Sequence, residues 1–384
     1  MAESTRDTPD TPEHGLKLHG RLDQSEHFWR DHYQWLFEQG YELRSRYRPS
    51  WKPSWKGTKK PWDECTDGLY PLHNSAIDAQ RRSDGELLML KRTKKSLFPH
   101  ETEIGLFFST EPISGDPRNH CIPIYEILQV PDDDEIQIVV MPMLRVHDDP
   151  RFDTIGEAVE FFRQMFEGLQ FMHSHNVAHR DVTFFNVMMD ARELYIDRYH
   201  PCRPWRKLDL SANARHYTRT QKPVKYYLTD FGLSRKYKAE ERPPQEPIIR
   251  GADKSAPEYK TTDACDPFPT DVYLLGNLIR ENFTEVQLSP SETKRLGFQF
   301  MKPLVADMTH DDPSKRPTMD EVVERFETIR KGLSSSKLRA RVVKAKDSPI
   351  AGFFRALSYW HRRVDFTVHG TPSIPTPAKP CSVL

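Results

Sequence analysis

The clearest periodicity in the chain begins at Thr154. Thr154 and Glu157 form a Thr-x-x-Glu box, and Ile155, Ala158, Phe162, Met165, Leu169 and Met172 follow at spacings of three and four. That pattern predicts a capped helix with one apolar stripe turned to the core. Thr318-x-x-Glu321, followed by Val322, Phe326 and Ile329, repeats it near the end of the globular region. Towards the N-terminus, Trp29, Tyr33, Leu36 and Gly40 recur at helical spacing behind Ser25, a candidate N-cap. Between these helices the pattern shifts to strands. Residues Ala76 to Ala79, a turn at Asp84-Gly85 and Leu87 to Lys91 read as strand, turn, strand, with Lys91 closing the second. Ile122–Leu128 and Ile136–Met143 read as the next strands, and Val187–Met189 and Lys225–Leu228 as a further pair.

Composition narrows this only a little. The 384 residues are 37% hydrophobic and 11% aromatic, enough for one large core or two modest lobes. Lys+Arg and Asp+Glu balance at 56 each, so no overall field favours nucleic acid or membrane. The five cysteines (65, 121, 202, 265, 381) show no paired spacing, which argues against a disulfide framework or a zinc site. No apolar run reaches ~18 residues, and the N-terminus lacks a signal-peptide core. A cytoplasmic, reducing location is therefore expected. Residues 1 to about 23 are polar and Pro-bearing, which predicts disorder.

The chemistry concentrates in Val177–Met189, Val-Ala-His-Arg-Asp-Val-Thr-Phe-Phe-Asn-Val-Met-Met. An Asp followed five residues later by an Asn, on a short loop between helix and strand, places two oxygen-bearing groups at one point. One can accept a proton from a hydroxyl while the other holds a metal ion. Asp230-Phe231-Gly232, Ala256-Pro257-Glu258 and Asp271-Val272-Tyr273-Leu274-Leu275-Gly276 follow in order. Together these strings resemble those of eukaryotic protein kinases.

The resemblance implies an α+β, bilobal protein-kinase-like fold, with a small β-rich N-lobe and a larger helical C-lobe, over residues 66–332. It implies ATP and Mg²⁺ as cofactors and a protein substrate, with Ser/Thr hydroxyls favoured. Asp181 would be the general base, Asn186 and Asp230 the metal ligands, and Lys91 the phosphate-ordering amine. Glu103, preferred over Glu101, would orient Lys91. Ala79, Met141 (as gatekeeper), Pro142 through its carbonyl and Leu144 through its N–H would hold adenine. His179 would be structural, and Glu258 would pair with Arg316. Within the family, Asp116-Pro117-Arg118-Asn119-His120 and Asn186-Val187-Met188-Met189-Asp190 are similar to kinase-like proteins of mushroom-forming fungi.

Two departures stand out. Where the family has a Gly-x-Gly-x-x-Gly turn, this chain has Gly68-Leu69-Tyr70-Pro71-Leu72-His73-Asn74-Ser75, and Pro71 has no N–H to offer a phosphate. Two residues after Asp181, where Ser/Thr kinases carry a Lys, stands Thr183. These departures keep a second reading open: a pseudokinase serving as a lipid-anchored binding module.

Outside the family pattern, residues 1–65 combine the disordered segment with an aromatic-rich helix and strap (Tyr47, Trp51, Trp55, Trp62). This part either packs on the small lobe or forms a partner-binding arm. The 43 residues between Asn186 and Asp230 hold an insert, 191–223, rich in Arg, His and aromatics. It is either a solvated excursion or a substrate- or partner-contacting element. The activation segment carries Ser234, Tyr237 and Ser255 as acceptors, and Glu240, Glu241 and Glu246, which could satisfy Arg180 without phosphate. The tail, 333–384, has nine Lys/Arg against two acids from Lys337 on. Residues 351–364 read as an interfacial amphipathic helix. The sequence ends Cys381-Ser382-Val383-Leu384, a C-a-a-X box of the geranylgeranylated form, so prenyl-Cys381 and a cytosolic membrane face are expected.

Overall fold

The computed structural model describes residues 20–71, 73–261, 263–284, 295–344 and 349–378, leaving aside the side chains of 344 and 349–358. The described chain forms two compact units. One comprises residues up to Thr93 together with Ile138–Met143 and Tyr195–Arg215. The other comprises Lys94–Gln137, Leu144–Leu194 and the chain from His216 onward. The first is β-rich and small and the second helical and larger, the α+β division the sequence implied.

In the first unit, α1 (Gln24–Asp31) is capped by Asp23 rather than Ser25. The Asp23 carboxylate accepts the Glu26 N–H at 2.9 Å, and the Glu26 carboxylate accepts the Asp23 N–H at 2.9 Å. α2 (Tyr33–Glu38) follows, and Trp29 and Leu36 are fully buried. The chain turns at Gly40 (φ +94°) into β1 (Tyr41–Leu43). β1 pairs antiparallel with β2 (Ala76–Arg81), setting Leu43 opposite Ala79. β2 pairs with β3 (Leu87–Lys94), setting Ala76 opposite Lys91. Strand β3 thus runs three residues beyond Lys91, which is not its end. The strand Ile136–Pro142 lies along the other side of β3.

The boundary expected between residues 65 and 66 therefore falls inside a unit. The sheet takes its first strand from residues 41–43, so 44–75 is a connection between neighbouring strands. That connection is tied down rather than loose. Arg46 reaches the buried Glu26 carboxylate with Nε at 2.6 Å and Nη2 at 2.8 Å, and Tyr47 Oη donates to it at 3.1 Å. Asp67, also buried, accepts from Trp51 Nε1 and from the Ser54 N–H, both at 2.9 Å. Arg44 pairs with Asp78 at 3.0 Å and donates to the Leu69 carbonyl. Of the two expectations for this aromatic stretch, the packed strap is the one realised.

Part of the 191–223 insert belongs to the same unit. Tyr199–His200 and Arg203–Lys207 form an antiparallel hairpin. Arg203 pairs with Asp63 of the strap at 2.9 Å, and Arg198 donates to the Gly85 carbonyl at 2.6 Å. The ends of the insert pack into the second unit. Leu194 is fully buried, and Arg219, 2% exposed, donates to the His147 carbonyl at 2.7 Å. A solvated excursion is thus excluded at both ends and at the hairpin's root.

The helices of the second unit are α3 (Glu101–Ser109), α4 (Ile155–Ser174), α5 (Pro267–Ile279), α6 (Lys302–Met308), α7 (Met319–Lys331), α8 (Ser335–Leu338) and α9 (Pro349–Val368). α4 is central. Besides the expected stripe it buries Val159, Phe161, Phe166 and Phe171, so it is enclosed nearly all round. Thr154 Oγ1 caps the Glu157 N–H as expected, but the Glu157 carboxylate does not complete the box. It accepts instead from the Asp153 N–H at 2.6 Å and from Thr220 N and Oγ1 at 2.8 Å, drawing the returning insert onto the helix start.

The expected pair forms between Glu258 and Arg316, two parallel bonds of 2.8 Å with the Arg316 side chain fully buried. The tail is not a free spacer. Tyr359 of α9 is buried, Arg362 grips Asp153 at 2.9 Å, and beyond the helix Thr376 Oγ1 reaches Glu160 at 3.2 Å. Residues 1–19 and 379–384, including Cys381, lie outside the described residues.

Removing one partner of a buried ion pair leaves a stranded charge. Arg316→Met should therefore lower unfolding stability by about 3–5 kcal/mol in urea titrations. Burial pushes the Glu258 carboxyl up, but hydrogen bonds from Arg316 and Thr270 outweigh it and hold it below its ordinary value of 4.5. The stabilisation is present above that value and lost as pH falls through the depressed one. The gap between parent and variant should accordingly narrow in acid.

Candidate active site

Within the second unit the loop after the strand Val177–Ala178 is held from below by α5. The Asp271 carboxylate, fully buried, accepts the His179 N–H at 2.7 Å and the Arg180 N–H at 2.6 Å, and His173 Nε2 lies 3.1 Å away. With both amides turned to Asp271, Arg180 takes the left-handed conformation (φ +68°). His179 is fully enclosed, its Nε2 at 3.2 Å from the Thr229 carbonyl and its ring 5.8 Å from Phe231. That is a packed histidine, as the sequence suggested.

Asp181 and Asn186 meet directly. Asn186 Nδ2 donates to Asp181 Oδ2 at 2.8 Å and to the Asp181 carbonyl at 2.9 Å. The antiparallel pair Val187–Met189 with Tyr226–Leu228 sets Val187 opposite Leu228, and the Thr229 N–H donates to the Asn186 carbonyl at 2.9 Å. Asp230 comes next, left-handed at φ +65°, with Oδ1 accepting the Gly232 N–H at 3.2 Å. Register thus sets Asn186 and Asp230 at one end of the strand pair, and the Asn186 hydrogen bonds bring Asp181 to it.

The other Asp181 oxygen is taken by the activation segment, at residues not among the candidates named from the sequence. The Ala252 N–H donates to Oδ1 at 3.0 Å. A Cβ on Gly251 would stand 2.1 Å from the same oxygen, so only glycine allows this approach. The segment is fixed beyond that point by α5: Asn277 Nδ2 donates to Asp253 at 2.7 Å and to Ser255 Oγ at 3.0 Å, and Tyr273 Oη to the Ser255 carbonyl at 3.1 Å.

Along α3 the buried positions are Glu101, Ile104, Gly105 and Phe108. Glu101 is 5% exposed, whereas the Glu103 side chain is 72% exposed and lies 3.7 Å from His100. The inward acid is therefore Glu101. The preference for Glu103 fails because Glu101, not Glu103, shares the buried face of α3 with Ile104, Gly105 and Phe108. Of the remaining residues, Ala79 is buried in β2, Lys91 stands partly exposed on β3, and Met141 and Pro142 end the neighbouring strand, all in the first unit. Leu144 is buried in the second.

A family model described as protein kinase domain matches residues 124–326, more than half of the chain. The chain belongs to the protein kinase family. It is 24% identical over 281 residues to "Serine/threonine-protein kinase pim-2" of Danio rerio, covering 65% of this chain and 79% of that protein. It is also 22% identical over 252 residues to "Light-sensor Protein kinase" of Ceratodon purpureus, covering 55% of this chain but only 17% of that relative's length.

Of the three acceptors named in the activation segment, two are buried and Ser255 is exposed. Ser234 is buried and donates to the His179 carbonyl at 2.9 Å, and Tyr237 is buried against Ala178 and Phe268. Arg180, also buried, has the Glu246 carboxylate at 3.8 Å and donates to the Pro247 carbonyl at 3.0 Å. Glu246 is the acid beside Arg180, while Glu240 and Glu241 are exposed on a separate turn. Thr183 is 7% exposed, and its Oγ1 has no hydrogen-bond partner among the described residues.

Gly251→Ala should push the activation segment off Asp181. Misplacement on the scale of 1 Å can cost about a hundredfold in turnover. Steady-state kinetics should show that loss in kcat with KM for ATP little changed.

Proposed function

We propose that this kinase transfers the γ-phosphate of ATP to protein hydroxyls, Ser/Thr rather than Tyr, and works at a cytosolic membrane surface. The observation that carries the catalytic part is the Asn186–Asp181 hydrogen bond beside Asp230. It holds the base and leaves the Asn186 amide oxygen turned to other use.

The donor set suits a hard cation. Asn186 spends its nitrogen on Asp181, so Oδ1 is the atom left for Mg²⁺, with Asp230 as the second protein ligand. No group of three or more His, Cys, Asp or Glu forms a cage among the described residues. A cation here would take its remaining oxygens from phosphates and water, as Mg²⁺ characteristically does. Bound there, it would neutralise charge on the phosphates. Asp181 then accepts the proton of the substrate hydroxyl as that oxygen attacks phosphorus. In the first unit Lys91 is assigned to the phosphates, and Ala79, Met141 and Pro142 to adenine. In the second, Leu144 is assigned to adenine, and Glu101 takes the acid role first given to Glu103.

Ser/Thr specificity is supported by likeness to the pim-2 protein and by the absence of an Arg between Asp181 and Asn186. The narrower likeness to kinase-like proteins of mushroom-forming fungi rests on sequence motifs alone. Membrane tethering is supported by the basic tail and by Cys381-Ser382-Val383-Leu384, with Cys381 as the prenylated residue. An intact-mass increment of one isoprenoid on Cys381 would test it.

One set of observations favours the pseudokinase reading. Protein hydrogen bonds tie down the 44–69 stretch, which ends two residues before Pro71. Gly68 is a glycine because its Cβ would fall 1.9 Å from the Trp62 carbonyl oxygen, not because a phosphate must approach. Thr183 also brings no cation to the migrating phosphate.

Thermal shift and autophosphorylation separate the two readings. ATP with Mg²⁺ should raise the parent's melting temperature and leave Asp230→Ala unmoved. Asp181→Asn should lose about 10²–10⁴-fold in phosphate incorporation, the usual contribution of a general base. Parent label no higher than that of Asp181→Asn would leave the pseudokinase.

A further inference from the structure

The C-terminal helix uses one face on the protein and leaves another bare. Tyr359 and Phe366 are buried, at 4% and 6% exposure, and Tyr359 Oη donates to the Arg339 carbonyl at 2.5 Å. Arg362 binds both carboxylate oxygens of Asp153 at 2.9 Å, fixing the helix's rotation. Given that rotation, Trp360, Val364 and Val368, spaced by four, form a row at 56%, 60% and 74% exposure. The sequence sets Phe353 and Leu357 at seven and three residues before Trp360.

We propose that this row is the surface on which the kinase rests against an anionic lipid bilayer. The inference builds on the membrane reading above but locates it on residues independent of Cys381. Three arguments select lipid as the occupant. First, the described part of the row offers three residues, Trp360, Val364 and Val368, whereas a stable pairing of two copies takes about 800 Å² and some 20–30 residues a side. An interfacial helix needs only one apolar row sunk about 5–10 Å into the headgroup region. Second, the residue types fit an interface. Trp360 is the kind of amphipathic ring that settles at headgroup depth, and the Arg363 guanidinium lies 5.0 Å from its ring centroid, where the charge can stay among phosphates. Third, the sequence from residue 337 on is cationic, with nine Lys/Arg against two acids, one of the nine, Arg362, being paired with Asp153. One of those acids, Asp365, flanks the row, with His369 Nδ1 3.0 Å from its carboxylate. No described helix is long and apolar enough to cross a membrane, so contact would be with one leaflet.

The test uses the full chain, with and without the lipid. Chain carrying Cys381→Ser, made without prenylation, is mixed with vesicles of phosphatidylcholine alone or with about a third phosphatidylserine, and bound protein is measured by flotation. Prenylated chain is measured in parallel. Val364→Asp/Val368→Asp is introduced into both, and Trp360→Ala separately. All three positions are exposed, and unchanged melting temperature and unchanged phosphorylation of a soluble peptide establish that the fold is kept. The expected result is at least a tenfold fall in binding to the anionic vesicles for the double variant in both forms, and a smaller fall for Trp360→Ala. Equal binding by parent and double variant would overturn the proposal while leaving the tether intact. A dimer in solution that the double variant splits, with vesicle binding unaffected, would overturn it in favour of a second copy. Failure of prenylated parent to float at all would overturn the membrane reading itself.

Discussion

One buried carboxylate sets the geometry on which the site depends. Asp271 lies within α5 with no access to water, and an uncompensated charge there would be costly. It is compensated by the His179 and Arg180 amides, and that requirement forces Arg180 into a left-handed turn. The turn sends Asp181 outward while His179 stays in the core. Everything downstream, from the Asn186–Asp181 bond to the strand pair that carries Asp230, inherits its position from that turn. The same helix holds Asp253 and Ser255 through Asn277. One helix therefore anchors both the loop that carries the base and the segment that covers it.

The first unit solves a different problem with the same physics. A glycine-rich turn offers bare amides to a ligand and relies on mobility. The 44–75 connection instead spends its polar groups on the protein: Arg46 and Tyr47 on Glu26, Trp51 and Ser54 on Asp67, Arg44 on Asp78. Arg203 of the insert adds a tie to Asp63. Charged groups satisfied in this way resist opening, because each would have to be resolvated or stranded. The strap and the insert hairpin thus form one structural element assembled from two distant parts of the sequence.

What could be read in advance follows the range of the determining interaction. The kinase-like fold, the α4 stripe, the Val187–Leu228 pairing and the Glu258–Arg316 clamp rest on local periodicity or on strings whose order is diagnostic, and all were legible. Glu101 was misjudged because a short helix with acids at two early positions leaves its phase open by more than half a turn. Only packing of Phe108 decides it. The N-cap at Asp23 was missed for a related reason: Glu26 completes the box from inside the helix. The strap's role and the insert's division between two units depend on pairings across 140 residues and more, such as Arg203 with Asp63, which no local pattern records. Gly251 could have been suspected, as a glycine close before Ala256-Pro257-Glu258, but its reason is a contact with Asp181 seventy positions earlier.

The α9 helix shows how a correct pattern can carry an incomplete meaning. The sequence reads residues 351–364 as an interfacial amphipathic helix. Among the described side chains of α9, folding divides the apolar residues. Tyr359 and Phe366 go to the protein, with Arg362 fixing the rotation against Asp153, and Trp360, Val364 and Val368 remain outside. A helix held only by lipid would be free to roll and would present whichever side was more apolar. Pinned by a buried tyrosine and a two-pronged ion pair, this one presents a single row in a fixed orientation relative to the unit that carries Asp181, Asn186 and Asp230. A surface bound along that row would therefore orient the base-bearing unit as well as hold it.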